Sequence, residues 1–193
     1  VAIGVDCEAH LELGFGYAQQ QDVVARGYVT WRYLGPLHIL RNYELFDVLA
    51  GRGHGFPKVK PISKPRGLPP DATAEVRQAS EKVGGDADSH SWVTVKEFLD
   101  YDWDSTVSDE GVIDLSDPAV REWYEKPDRS GPPLSYGEVG YAKPLPEGNK
   151  HVVTWNHPLR VDVEDFLTGV LPYLEYLAVT KPQHLRIVFW FIP

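Results

Sequence analysis

Val5-Asp6-Cys7-Glu8-Ala9-His10-Leu11-Glu12-Leu13-Gly14-Phe15 alternates between two kinds of residue. Val5, Cys7, Ala9, Leu11, Leu13 and Phe15 fall on one face, and Asp6, Glu8, His10 and Glu12 on the other, which is the period of a half-buried β-strand. At the far end, Leu185-Arg186-Ile187-Val188-Phe189-Trp190-Phe191 is apolar on both faces apart from Arg186, as an internal strand is. Gly27 to Leu34, with Tyr28, Val29, Trp31 and Tyr33, has the content of a second strand, joined to the first by a polar connection around Gln19 to Asp22. Helices are predicted between these ends. Ile39, Tyr43, Phe46 and Ala50 recur at helical spacing from Leu37 to Ala50, and Gly51 stands where that helix would stop. Thr94 and Glu97 form a capping box flanked by Val93 and Phe98, so a helix starts at Val95. Asp117-Pro118 supplies an N-cap and a first-turn proline for a short helix from Pro118 to Glu125. Val163, Phe166, Leu167, Val170, Leu171, Leu174, Leu177 and Ala178 trace one apolar stripe, which Pro172 should kink or split. The fold expected is α+β: a small, mainly antiparallel sheet with the first and last strands as neighbours, helices packed on one face, and long Pro/Gly-rich loops.

A chain of 193 residues that is 42% hydrophobic and 12% aromatic has the material for one packed core, so a single domain over residues 1–193 is expected. The single cysteine, Cys7, excludes an internal disulfide and every multi-thiolate zinc pattern, and it reads as a small buried hydrophobe. A net charge of −9 argues against bulk nucleic-acid binding and against an anionic membrane, while leaving room for a local basic pocket. No apolar run approaches the roughly 20 residues that cross a bilayer, and the first residues lack the features of a signal peptide. These features read as a soluble intracellular protein. The absence of methionine reads as a start that is processed, trimmed or incomplete. The 17 glycines and 16 prolines cluster in Gly51 to Pro70 and Lys126 to Gly148. Ordered loops of that length are usually binding loops or lids.

The polar face of the first strand is the most informative feature. Its side chains stand about 7 Å apart at each step. Three carboxylates on one face repel, and Asp and Glu are poor strand formers. A bound cation, or an arginine from a neighbouring strand such as Arg32 or Arg186, would resolve the repulsion. Glu8 with His10 reads as a pair of metal ligands or as a general acid and base. An exposed face with ordinary ion pairs is the bland alternative.

Asp86-Ala87-Asp88-Ser89-His90-Ser91-Trp92, just before the capped helix, places His90 in a loop between hydroxyls. Such a histidine can be a ligand, a proton shuttle or an anion donor. A turn closed by Asx and Ser hydrogen bonds and anchored by Trp92 is the other reading. No G-x-S-x-G elbow surrounds Ser89 or Ser91, so serine nucleophile chemistry is not supported there. Lys58, Lys60, Lys64 and Arg66 form a local positive loop that could receive a phosphate or carboxylate, with Arg41 as a further guanidinium. A rigid solvated loop is the plain alternative. His151, His157 and His184 have no ligand-like spacing.

Cys7-Glu8-Ala9-His10-Leu11 resembles the Cys-Asp-Ile-His-Leu opening of an uncharacterised protein family of bacteriophages and of bacteria carrying prophages. Arg41-Asn42-Tyr43-Glu44-Leu45-Phe46 is similar to that family's Arg-Asn-Tyr-x-Leu-Phe helix. Pro65 to Pro69 with Asp71 is similar to its Pro-Arg-Gly-Leu-Pro loop, Asp88-Ser89-His90-Ser91-Trp92 to its His-Ser-His-Ser-Trp motif, and Arg186 to Phe191 to its closing strand. The chain departs from the pattern at Glu8, at Asp88, and at Ile192, where an Asp often stands. The resemblance carries no established activity. It implies a location in the cytoplasm of a bacterial host or in association with the virion.

Three functions are compatible with these residues. The first is a metal-dependent hydrolase of a phosphate ester or nucleotide-like substrate. Glu8, His10 and His90 would hold a divalent ion, Asp88 would assist in catalysis, and Arg41, Arg66, Ser89 and Ser91 would bind the small anionic substrate. The second is a binding protein for a nucleotide-like signal or a host protein, without chemistry. The third is a virion component.

Overall fold

A computed structural model describes residues 5–15, 29–52, 59–126, 131–137, 148–178 and 181–193. The connection around Gln19 to Asp22, the start of the expected second strand at Gly27, Lys58, and much of Lys126 to Gly148 lie outside the described residues. The fold is α+β with antiparallel sheets. The chain forms two compact units, Val1–Asp102 with Val163–Pro193, and Trp103–Asp162. No helix among the described residues is long and apolar enough to cross a membrane.

The first unit is built on a four-stranded sheet. Its strands are β1 (Asp6–Phe15), β2 (Thr30–His38), β3 (Asp88–Thr94) and β6 (Leu185–Ile192), in the order β2-β1-β6-β3. The chain-terminal strands are neighbours, from Asp6 opposite Ile192 to Leu13 opposite Leu185. Strand β2 extends to His38, so the helix expected from Leu37 starts later, as α1 (Tyr43–Ala50). The Asn42 side chain caps it at 2.7 Å from the Leu45 amide, and Gly51 closes it in the left-handed conformation.

Helices cover both sheet faces, not one, because β6 is apolar on both. Phe46 of α1 packs edge-on against Phe191 at 5.2 Å. On the opposite face, Val76 of α2 (Ala74–Val83) packs with Val188 and Trp190. A central strand has no solvated face, so β1 is more deeply covered than its alternation implied: His10 is 5% exposed and Glu12 is fully buried. Burial and the Glu8 and Asp6 carboxylates push the Cys7 thiol up to about 12. Cys7 should therefore resist iodoacetamide at neutral pH in the native protein and react rapidly once denatured, a contrast that mass spectrometry reads directly.

Arg186 answers the repulsion on the polar face of β1. Its Nε donates to Glu12 Oε2 at 2.7 Å, its Nη1 to Asp71 Oδ1 at 2.8 Å, and its guanidinium lies 3.7 Å over the Trp31 ring. Glu12 also accepts from the Thr73 amide at 2.6 Å, and Trp31 Nε1 donates to Asp71 at 2.8 Å. The segment after the Pro65–Pro69 loop is thereby pinned to the sheet.

Helix α3 (Val95–Leu99) begins at Thr94 with both halves of the capping box formed. A Thr94→Ala variant is expected to lose about 1 kcal/mol of unfolding free energy, measured by urea denaturation. The apolar stripe before β6 splits as expected. A π-helical turn spans Phe166–Val170 and is followed by α5 (Leu171–Ala178). The wide turn directly precedes Pro172, which supplies no N–H to the carbonyl four residues back.

The second unit is an antiparallel pair that the sequence reading missed: β4 (Thr106–Asp114) and β5 (Lys150–Pro158), with α4 (Pro118–Glu125) between them in the chain. Helix α4 has the predicted bounds, with Asp117 capping the Ala119 amide at 2.9 Å. Ile113, Val120, Trp123, Val153 and Trp155 form its core. A Cβ on Gly111 would approach the rings of Trp155 and Tyr136 to 3.0 Å, so only glycine leaves room for those rings against the strand.

Candidate functional site

On the α2 face of the sheet, a row of rings crosses all four strands. Tyr33 of β2 reaches His10 of β1 through its hydroxyl, 3.2 Å from Nδ1. The His10 ring lies against Trp190 of β6 at 5.0 Å and tilted by 31°, and His90 of β3 lies against the same indole at 5.3 Å and tilted by 33°. Glu8 Oε1 lies 3.1 Å from His10 Nε2. The Ser80 hydroxyl of α2 lies 2.8 Å from His90 Nε2. Burial pushes the His90 pKa down, which keeps the ring neutral at physiological pH. Glu8 and His10 therefore meet as the sequence suggested, and Tyr33 joins them. His90 belongs to a different strand, and β6 runs between the two histidines.

His90 was expected in a loop. It lies instead in β3, whose polar composition concealed the pairing of Trp92 and Val93 with Val188 and Ile187. A bulge interrupts the register: Asp88 pairs with Phe191 and Ser91 with Phe189, so Ser89 and His90 together stand opposite Trp190. Ser89 adopts φ 54°, the only positive value at a non-glycine residue among the described residues.

The other expected site residues are engaged by protein partners. Asp88 pairs with Arg52 and accepts from the Ser89 hydroxyl at 2.8 Å. Arg66 makes a two-point contact with Glu97 at 2.5 and 3.1 Å, donates to the Trp92 carbonyl at 3.0 Å and covers the Trp92 ring. Burial opposes the charge on Glu97, but its hydrogen bonds to Arg66 and Thr94 outweigh this and hold its carboxyl below the usual range. Ser91 is buried and accepts from the Arg66 amide at 3.1 Å. Arg41 pairs with Asp6 at 2.7 Å on the surface. The basic loop thus works as a strut that fastens β3 and α3.

Among the described residues, the group able to hold a metal ion is Asp109, His157 and Asp162, whose ligand atoms lie within 4.8 Å of one another. It includes none of Glu8, His10 or His90. The β4–β5 register explains its assembly. Val107 opposes His157 and Asp109 opposes Trp155, so Asp109 and His157 are diagonal neighbours on the buried face. A 3₁₀ turn over Leu159–Val161 then returns the chain so that Asp162 meets the ring. His157 Nε2 is 2.8 Å from both Asp162 oxygens and 3.7 Å from Asp109 Oδ2. Carboxylates only accept, so in the absence of an ion Nε2 carries the hydrogen. His157 Nδ1 is buried with no hydrogen-bond partner among the described residues. The sequence carried only the close spacing of His157 and Asp162 as a signal, and Asp109 joins them only through strand pairing.

No protein-family model, no curated protein and no solved structure matches this chain.

Proposed function

We propose that the protein binds a divalent cation on Asp109, His157 and Asp162 and acts as a metal-dependent hydrolase of a phosphate ester or nucleotide-like substrate. The observation that carries this reading is the approach of two carboxylates and one imidazole nitrogen to within 4.8 Å of each other. Oxygen and imidazole donors suit manganese, iron or zinc, and three protein ligands leave positions for water and for a substrate oxygen. An ion there would activate water and polarise the phosphoryl group. To bind through Nε2, the His157 ring must carry its hydrogen on Nδ1 instead. Metal-ligating histidines usually anchor their second nitrogen, and an unsupported one binds about 10–100-fold more weakly. The unpaired Nδ1 of His157 predicts a modest affinity of this kind. The test is hydrolysis of p-nitrophenyl phosphate with added manganese. Turnover that is removed by chelator and in Asp162→Asn is expected. Hydrolysis indifferent to both treatments, or none with any divalent ion, would reject the reading.

A second reading, a binding protein without chemistry, is favoured by the occupied state of Arg41, Arg66 and Asp88. Under it, a nucleotide-like ligand or host protein is bound with measurable affinity and recovered unchanged. The resemblance to phage and prophage proteins supports a setting in the bacterial host cytoplasm or on the virion for either reading.

A further inference from the structure

We propose that Ser80 and His90 form a nucleophile–base pair, a second reactive site in the first unit that acts on uncharged carboxylic esters and is independent of any metal. Four observations converge on these residues. The Ser80 Oγ to His90 Nε2 distance of 2.8 Å is that of an activated serine and its base. His90 is held as a neutral ring by burial, so its base form is the resident one. Its orientation is fixed from two sides. The Trp190 indole lies against the ring at 5.3 Å, and the His90 carbonyl accepts from the Gly67 amide at 2.8 Å. The backbone deviates in order to aim it, through the bulge opposite Trp190 and the positive φ of Ser89. Backbone outliers of this kind persist where the surrounding structure holds a side chain in a required direction.

The surroundings select the substrate. Burial, and not a neighbouring charge, is the cause of the depressed His90 pKa. The Trp190 indole that His90 lies against belongs to one apolar cluster with Val76 and Val188, against which Val83 and Ala87 pack. An uncharged ester with an apolar acyl chain fits this environment better than a phosphate. In the reaction, Ser80 Oγ bonds to the carbonyl carbon while its proton passes to His90 Nε2. The tetrahedral adduct then breaks its carbon–oxygen bond to the alcohol, which leaves with that proton. Water, deprotonated by His90, cleaves the acyl-serine and regenerates the hydroxyl.

An alkyl fluorophosphonate tests the pair without knowledge of the natural ester. Ser80 Oγ would bond to phosphorus, fluoride would leave, and His90 would take the proton. Incubation of the whole chain in chelator should give one phosphonyl adduct, mapped by peptide mass spectrometry to Ser80. Ser80→Ala should abolish it, and His90→Gln should slow it by about 100-fold or more, the usual contribution of a general base. Ser80 lies in a helix and alanine is a good helix former, so that variant keeps the fold as a reference for circular dichroism. No adduct on the wild-type chain, an adduct mapped elsewhere, or a rate unchanged in folded His90→Gln would overturn the assignment. Chelator removes any contribution from Asp109, His157 and Asp162, so failure here leaves the metal reading untouched.

Discussion

Arg186→Met is expected to lower the unfolding free energy by about 3–5 kcal/mol, enough to leave a domain of ordinary stability largely unfolded under mild denaturant. The substitution keeps the length of the side chain and leaves Glu12, fully buried, without its counter-charge. Removing one partner of a buried pair is costly because the remaining charge stays desolvated. The double variant Glu12→Leu/Arg186→Met removes both charges and should recover a large part of the loss, as urea denaturation of the four proteins in the cycle would show. A single-variant loss below about 1 kcal/mol would mean that the pair is surface-like and dispensable. Asp71 adds a pH dependence. Burial works against its charge, but Arg186 and Trp31 hold its carboxyl below the ordinary value. A depressed folded-state pKa contributes stability above the unfolded carboxylate pKa and loses it as the pH falls through the folded one. In Arg186→Met that acid-side loss should shrink.

Trp190→Ala is the second large effect, with an expected loss of about 3–5 kcal/mol. Trp190 is fully buried, packs with Val76 and Val188, and supports the rings of both His10 and His90. Trp190→Phe separates packing from polarity. The indole Nε1 is buried with no partner among the described residues, so phenylalanine loses volume but also removes an unpaired donor. It should be clearly less damaging than alanine. The imidazole proton resonances of His10 and His90 should shift in both variants, since each ring faces the indole. Unmoved histidine resonances in Trp190→Ala would contradict the row of rings.

Periodicity made the frame of the first unit legible. The alternation of Val5 to Phe15 and the doubly apolar Leu185 to Phe191 give two adjacent strands, and local capping chemistry gave α3 and α4. Both helices are specified by a few consecutive residues. What failed depends on distant pairing. Strand β1 read as half-buried because its polar face is neutralised by Arg186 and covered by α2, neither of which is local. Strand β3 read as a loop because Asp88, Ser89 and Ser91 are turn-forming residues, and only β6 makes them a strand. The site followed the same division. Glu8 and His10 are two residues apart on one strand and were legible, whereas Tyr33 and Ser80 come from other elements. Beyond the close spacing of His157 and Asp162, the Asp109, His157 and Asp162 group was hidden, because strands β4 and β5, which bring Asp109 to His157, were not recognised.

The most direct test of the central claim is calorimetric titration of manganese into the purified chain at neutral pH. One ion per chain should bind. Binding should be lost in His157→Ala and retained in His10→Ala. No binding to the wild-type chain, or binding lost in His10→Ala and retained in His157→Ala, would contradict a metal site on the second unit.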